Sequence, residues 1–168
     1  MFRINLSVEG EVVIDRVLQG IEDRTRDLTP VWPTVVTIFR GIVAKAFATE
    51  GGSTGAPWAP LAPRTQADRK RQGFPPAHPI LQRTGKLMRA LTIGEGAAVV
   101  TTPVSLRYVV SNQETPYFKY HQSRAPRTRL PRRAPVLLTA DDRTAIVHPI
   151  RLWITGRDPN AQRRSRVG

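Results

Sequence analysis

An α+β fold is expected for this chain, with an N-terminal helical pair packed on a small, mainly antiparallel sheet, then a C-terminal helix and an extended basic arm and tail. Three observations carry the expectation. Apolar residues recur every three or four positions over 14–28 and again over 35–47, the spacing of one helical face. Short β-type runs bounded by glycine and proline lie between 92 and 111. The 168-residue length suits one core. One domain is therefore drawn over 1–155, with a loop at 50–57 and a basic arm at 123–135 inserted, and residues 156–168 form a basic C-terminal tail.

Phe2, Ile4, Leu6 and Val8 alternate with polar residues, which predicts a half-buried strand. Glu9 and Glu11 suit the positive end of the helix that follows, whose apolar face holds Ile14, Leu18, Ile21, Thr25 and Leu28. Thr29-Pro30 reads as an N-cap with proline in the first turn. The second helix carries Val35, Ile38, Phe39, Ile42, Ala46 and Phe47 on one stripe, and Pro33 is expected to cost it one early hydrogen bond. So short a break makes the two helices antiparallel neighbours. Residues 50–57 compose a flexible loop that ends at Trp58-Ala59-Pro60-Leu61.

A short basic helix runs from Pro63 to about Gln72 and is closed by Gly73. The prolines of 74–79 then require an extended connector. Residues 80–91 are read as a helix that tolerates Gly85, with apolar positions 81, 84, 87, 88 and 91. Strands are expected at 92–93, 97–102 and 106–111, with turns at Gly94-Glu95-Gly96 and around Pro103. Tyr117-Phe118-Lys119-Tyr120-His121-Gln122 is read as one helical turn, and 123–135 as an arm without periodicity. Thr139 caps a last helix to about Ile154, with Asp141 and Asp142 in its first turn and Pro149 bending it.

The formal charge is +13 and sits in two places. Residues 1–50 hold six Lys/Arg against seven Asp/Glu; 60–90 hold seven against one; 117–168 hold twelve against three. Such blocks attract polyanions or acidic protein faces. Arginine rather than lysine fills the cluster Arg124, Arg127, Arg129, Arg132 and Arg133, and its planar fork suits paired contacts to carboxylate or phosphate. An interface role is therefore expected of this arm.

Several chemistries find no support. The absence of cysteine removes disulfides, thiol nucleophiles and thiolate metal sites. His78, His121 and His148 are too dispersed for a zinc site. No uninterrupted apolar run reaches the length of about 18 residues that spans a bilayer, and the N-terminal residues lack a signal-peptide pattern, so a soluble, cytosolic-type protein with no membrane partner is expected. Gly51-Gly52-Ser53-Thr54-Gly55 lacks the Lys-Ser/Thr ending of a phosphate-cradling loop. Asp141-Asp142 is better explained by the helix dipole than by a metal. His121 with Ser123 does not make a triad by sequence proximity. No enzyme, no metal and no cofactor are expected. Nucleic-acid binding without enzymatic activity is the alternative that charge alone allows, although no zinc finger, aromatic strand motif or recognition helix accompanies it.

The order of features resembles the phage virion-morphogenesis, or tail-completion, family of tailed bacteriophages. The resemblance rests on Trp58-x-Pro60-Leu61, Thr65 in a basic helix, Ile80-Leu81-x-x-Thr84-Gly85-x-Leu87-x-x-x-Leu91, a β stretch with Tyr108, and His121-Gln122. Pro131-Arg132-Arg133-Ala134-Pro135 and Leu137-Leu138 before a capped helix complete it, from about Val12 to Ile154. Family members often carry a glycine shortly after the His-Gln pair, where this chain has Ser123-Arg124-Ala125-Pro126. The resemblance implies a structural protein of the virion, made in the host cytoplasm, that forms a ring, typically six-fold, at the head-proximal end of the tail. Its implied partners are itself, adjacent tail-tube and neck or connector proteins, and genomic DNA in the channel. The β region would build the ring sheet with helices outside it. Trp58, Tyr117, Phe118, Tyr120 and His121, with the five arginines of the arm, are the expected interface residues, since tryptophan, tyrosine and arginine dominate hot spots. Charge reversal at Arg132 and Arg133 is expected to block joining while leaving the fold intact.

Overall fold

Glu11–Arg26 forms the first helix, α1, and Arg24 and Arg26 in its last turn complement the negative end of its dipole. The computed structural model describes residues 11–75, 79–123 and 130–157. The strand expected over 2–8, His78, the greater part of the arm and the tail from 158 onward lie outside the described residues. After α1 the Asp27 carboxylate accepts a hydrogen bond from the Thr29 backbone N–H at 2.9 Å. The chain then makes a 3-10 turn over Thr29–Val31, so Thr29 is not the side-chain cap that its sequence suggests. Helix α2, Trp32–Ala48, starts behind this turn. Pro33 sits in its first turn, where a backbone N–H has no intrahelical acceptor, and the expected hydrogen-bond cost does not arise.

α2 is the central element. It buries Val35, Val36, Val43, Ala46 and Phe47, and its neighbours are two helices introduced below rather than α1. The helical run 29–48 is long and apolar enough to cross a bilayer by length and composition, which the sequence reading did not allow for. Here its apolar side chains are the protein core, and Val31, Val43 and Phe47 are fully enclosed. Each such side chain contributes about 1.5–3 kcal/mol by leaving water.

The segment read as a flexible loop is a tight, hydrogen-bonded turn. Gly51 (φ +85°) and Gly55 (φ +72°) flank a 3-10 turn at Gly52–Thr54. The Trp58 N–H donates to the Glu50 carbonyl at 2.7 Å, which folds the tryptophan back onto α2. Helix α3, Pro63–Arg71, ends as expected at Gly73. Phe74 N–H donates to the Arg69 carbonyl and Gly73 N–H to that of Lys70, the Schellman pattern.

Residues 80–85 are not helical, against expectation. Leu81 (φ +61°) and Gly85 (φ +69°) both adopt left-handed backbone, and helix α4 starts only at Lys86 and runs Lys86–Thr92. Leu87, Ala90 and Leu91 are buried there. Thr92-Ile93, expected as a strand, closes α4 instead. Among the described residues the sheet is one antiparallel hairpin, β1 (Ala97–Thr102) and β2 (Ser105–Val110), in the register Ala97↔Val110 to Thr102↔Ser105. Its two-residue turn contains Pro103, whose ring forbids the positive φ that such turns prefer. External bonds compensate: Leu28 N–H donates to the Pro103 carbonyl at 2.7 Å and Trp32 Nε1–H to that of Thr102 at 2.9 Å.

Phe118–Gln122 forms the short helix α5, as read from sequence. Ala140–Ile154 forms α6, which Thr139 and Asp142 open with a reciprocal capping box and which contains Pro149. α4 and α6 both pack on α2, and α1 packs mainly on α6. The expected contact between the first two helices is thus replaced by one through α6, where Trp153 Nε1–H donates to the Arg24 and Asp27 carbonyls. Two apolar clusters result. Val43, Phe47, Trp58, Ile80, Leu87 and Leu91 form one; Val31, Trp32 and Val35 form the other under α6. The architecture is α+β, as the sequence predicts.

Candidate functional site

Two surfaces stand out, and the hairpin supplies the first. Leu106, Tyr108 and Val110 of β2 face the body of the protein, alternating with exposed neighbours. Tyr108 fixes this face: its hydroxyl donates to the Ala90 carbonyl at 2.7 Å, and its ring packs 5.0 Å from that of Phe39. The Arg40 guanidinium lies 5.7 Å from the same ring. Register puts Ala98, Val100 and Val109 on the opposite face. Val100 is 51% exposed, and Val104 in the turn is 65% exposed. β1 pairs with β2 alone, so among the described residues each strand keeps one edge without a strand neighbour. Unpaired backbone groups beside exposed valines are a template for another strand.

The second surface is a cleft of about 710 Å³ between α3, the turn before α4, α5 and the chain at 130–133. Arg133, read from sequence as part of a free arm, is only 5% exposed. Its Nε donates to the Ala59 carbonyl at 2.7 Å and its Nη2 to the Pro60 carbonyl at 2.9 Å. It is a strut beneath the Trp58 segment, and reversing its charge would attack the fold, which corrects the expectation of an intact subunit. Arg69 is likewise buried and donates to the Pro79 carbonyl at 3.1 Å. Burial, then the nearby Arg83, pulls the Arg69 pKa down, while Glu50 opposes this. Burial, then Arg69, lowers that of Arg133.

His121 is also buried, 7% exposed, and its Nδ1 has no hydrogen-bond partner among the described residues. Burial, followed by the Arg133 charge, holds its pKa below 6.5, against the effect of a backbone hydrogen bond with Pro131. The imidazole is therefore neutral near pH 7. Among the described residues no nucleophile is paired with it, and no cluster of His, Asp and Glu could hold a metal.

The remaining expected residues are distributed as follows. Trp58 is 6% exposed, stacks edge-on against Phe47 with centroids 5.4 Å apart, and donates from Nε1 to the Ala134 carbonyl at 3.2 Å. Its side chain belongs to the core. Tyr117 and Phe118 are half-buried against the same cluster. Tyr120 is exposed, with the Lys119 ammonium 5.1 Å from its ring. Arg132 is exposed, and its Nε donates to the Gln122 carbonyl at 3.4 Å. Arg124, Arg127 and Arg129 lie outside the described residues. Tyr117, His121 and Arg133 meet in the cleft; Tyr120 and Arg132 do not line it. Sequence reasoning did not single out the hairpin valines, although the adjacent Val99-Val100 was a signal that both faces of β1 are apolar.

Residues 11–154 match the family model of the phage virion morphogenesis family. The chain belongs to that family. No curated protein and no solved structure matches it. A phage virion morphogenesis protein works as a structural component, and the matched span contains every described element from α1 to α6. Both surfaces therefore lie within the part of the chain that the family defines.

Proposed function

We propose that this morphogenesis protein is a tail terminator or tail-completion protein of a tailed phage, forming a ring at the head-proximal end of the tail and taking part in head–tail joining in the neck. The observation that carries the reading is the hairpin. A two-stranded sheet is marginal alone, and among the described residues this one has no strand neighbour at either edge, with Val100 and Val109 exposed beside Arg107 on its outer face and Val104 exposed in its turn. Addition of a neighbour's strand would pair an edge through main-chain hydrogen bonds, and the same step repeated from subunit to subunit would close a ring. Tyr120, Arg132 and the arm residues Arg124, Arg127 and Arg129 then serve contacts to adjacent tail-tube and neck proteins or to DNA in the channel. In this reading the subunits are made in the host cytoplasm and end in the virion.

Light scattering on the purified protein, at low and high salt and with and without duplex DNA, tests this. A closed oligomer of roughly six subunits without DNA is expected. Val100→Glu with Val109→Glu should leave folded monomers with an unchanged far-UV circular dichroism spectrum, because neither side chain is in the core. A monomer that binds duplex DNA with steep salt dependence would put the nucleic-acid reading first.

A further inference from the structure

Charge and burial in the cleft are out of balance. Arg69, Arg83, Lys86 and Arg133 line it, against only Asp68 and Glu114. Asp68 is already engaged, by Arg71 at 3.2 Å and Gln72 at 2.9 Å. Arg133 is buried with two neutral carbonyls as its acceptors, and among the described residues neither it, Arg83 nor Lys86 has an ion-pair partner. A guanidinium taken out of water without a carboxylate forgoes the interaction that normally offsets its lost hydration. The buried Nδ1 of His121, which also has no partner among the described residues, is a second polar group left incomplete beside the same cleft.

The walls add a second requirement. Leu61, Leu81, Tyr117 and Leu130 line the cleft between the cationic groups. Its volume of about 710 Å³ falls within the range of about 300–1,000 Å³ typical of ligand sites. A purely ionic ligand would leave the apolar walls wet, and a purely apolar one would leave the cations unmatched.

We infer that this cleft docks an extended segment of a different protein in which carboxylate side chains alternate with leucine-like ones, the carboxylates meeting Arg83, Lys86 and Arg133 and the apolar groups the leucine walls. A second copy of this chain is the poorer occupant, because it brings a charge of +13 to a positive site. The inference does not depend on ring formation, since the cleft and the hairpin are separate surfaces.

The test is fluorescence anisotropy at constant ionic strength on the full chain, using a labelled, amidated peptide of alternating glutamate and leucine. Arg83→Gln with Lys86→Gln, both at exposed positions, should weaken binding about tenfold. Arg143→Gln with Arg151→Gln removes the same charge from exposed positions on α6 and should leave binding unchanged. The glutamine–leucine peptide should not bind. The inference is overturned if the glutamate peptide fails to bind, or if both double variants weaken it equally, which would make the attraction a diffuse one. It is also overturned if the peptide dissociates the protein's own oligomers, which would make a second copy the occupant, or if duplex DNA displaces it through the same two residues. Running the assay on the Val100→Glu, Val109→Glu chain separates a failed ring from a failed cleft.

Discussion

Arg133 shows how much one side chain can be asked to do inside this protein. Its fork holds the Ala59 and Pro60 carbonyls, and so fixes the segment whose next neighbour, Trp58, closes the main core cluster. Arg133→Met keeps the aliphatic stem but leaves two carbonyls without their donor, so a loss of about 2 kcal/mol is expected in urea unfolding. Arg133→Lys keeps the charge but not the fork and should fall between the two. His121 gives stability a pH dependence. Its folded pKa is lowered from 6.5, so the unfolded chain takes up the proton first as pH falls. Stability conferred by the neutral ring is therefore full above pH 6.5 and declines as pH drops through and below that value. His121→Gln should flatten this slope between pH 7.5 and 5 in denaturant titrations. An equal slope in wild type and variant would mean that other groups set it.

At the scale of elements, the turn at 51–55 is a conformational lock. A Cβ on Gly51 would lie 2.6 Å from the Ala56 carbonyl oxygen and 2.6 Å from Trp58 Cδ1, in a left-handed backbone. Gly55 has the same handedness with open space around it. Gly55→Ala should therefore cost about 1 kcal/mol, and Gly51→Ala on the order of 3 kcal/mol, because it must also displace the tryptophan. Thermal unfolding of the pair separates backbone strain from packing. The same contrast explains what the sequence disclosed. α2 was legible from its apolar period, α6 from Thr139 with its acidic first turn, and the hairpin from short β-type runs set off by the turns at Gly94-Glu95-Gly96 and Pro103. Residues 80–85 were not, because Leu81, Thr84, Leu87, Met88 and Leu91 keep helical spacing although Leu81 and Gly85 are left-handed. Leu18 was read as part of the apolar face of α1 and is 58% exposed. The role of Arg133 was hidden for a different reason: its acceptors lie more than seventy positions away, and no local pattern encodes a contact of that range.

For the molecule as a whole, the charge of +13 must raise self-repulsion in the compact state. Among the described residues the ion pairs are three, all involving groups well open to solvent, so screening removes little attraction while relieving much repulsion. The thermal midpoint should therefore rise as sodium chloride is added at neutral pH; a midpoint that falls would show that those pairs outweigh the net charge. The attachment of the hairpin carries a mechanical consequence. Its tip is held at Leu28 and Trp32, at the joint between α1 and α2, and Tyr108 holds β2 to α4 through Ala90. A pull on the hairpin is consequently shared by several points of the helical body and cannot peel away from one end. The hairpin acts as a bracket rather than a tether, and tension arriving at a strand edge is delivered to both α2, through Trp32, and α4, through Ala90.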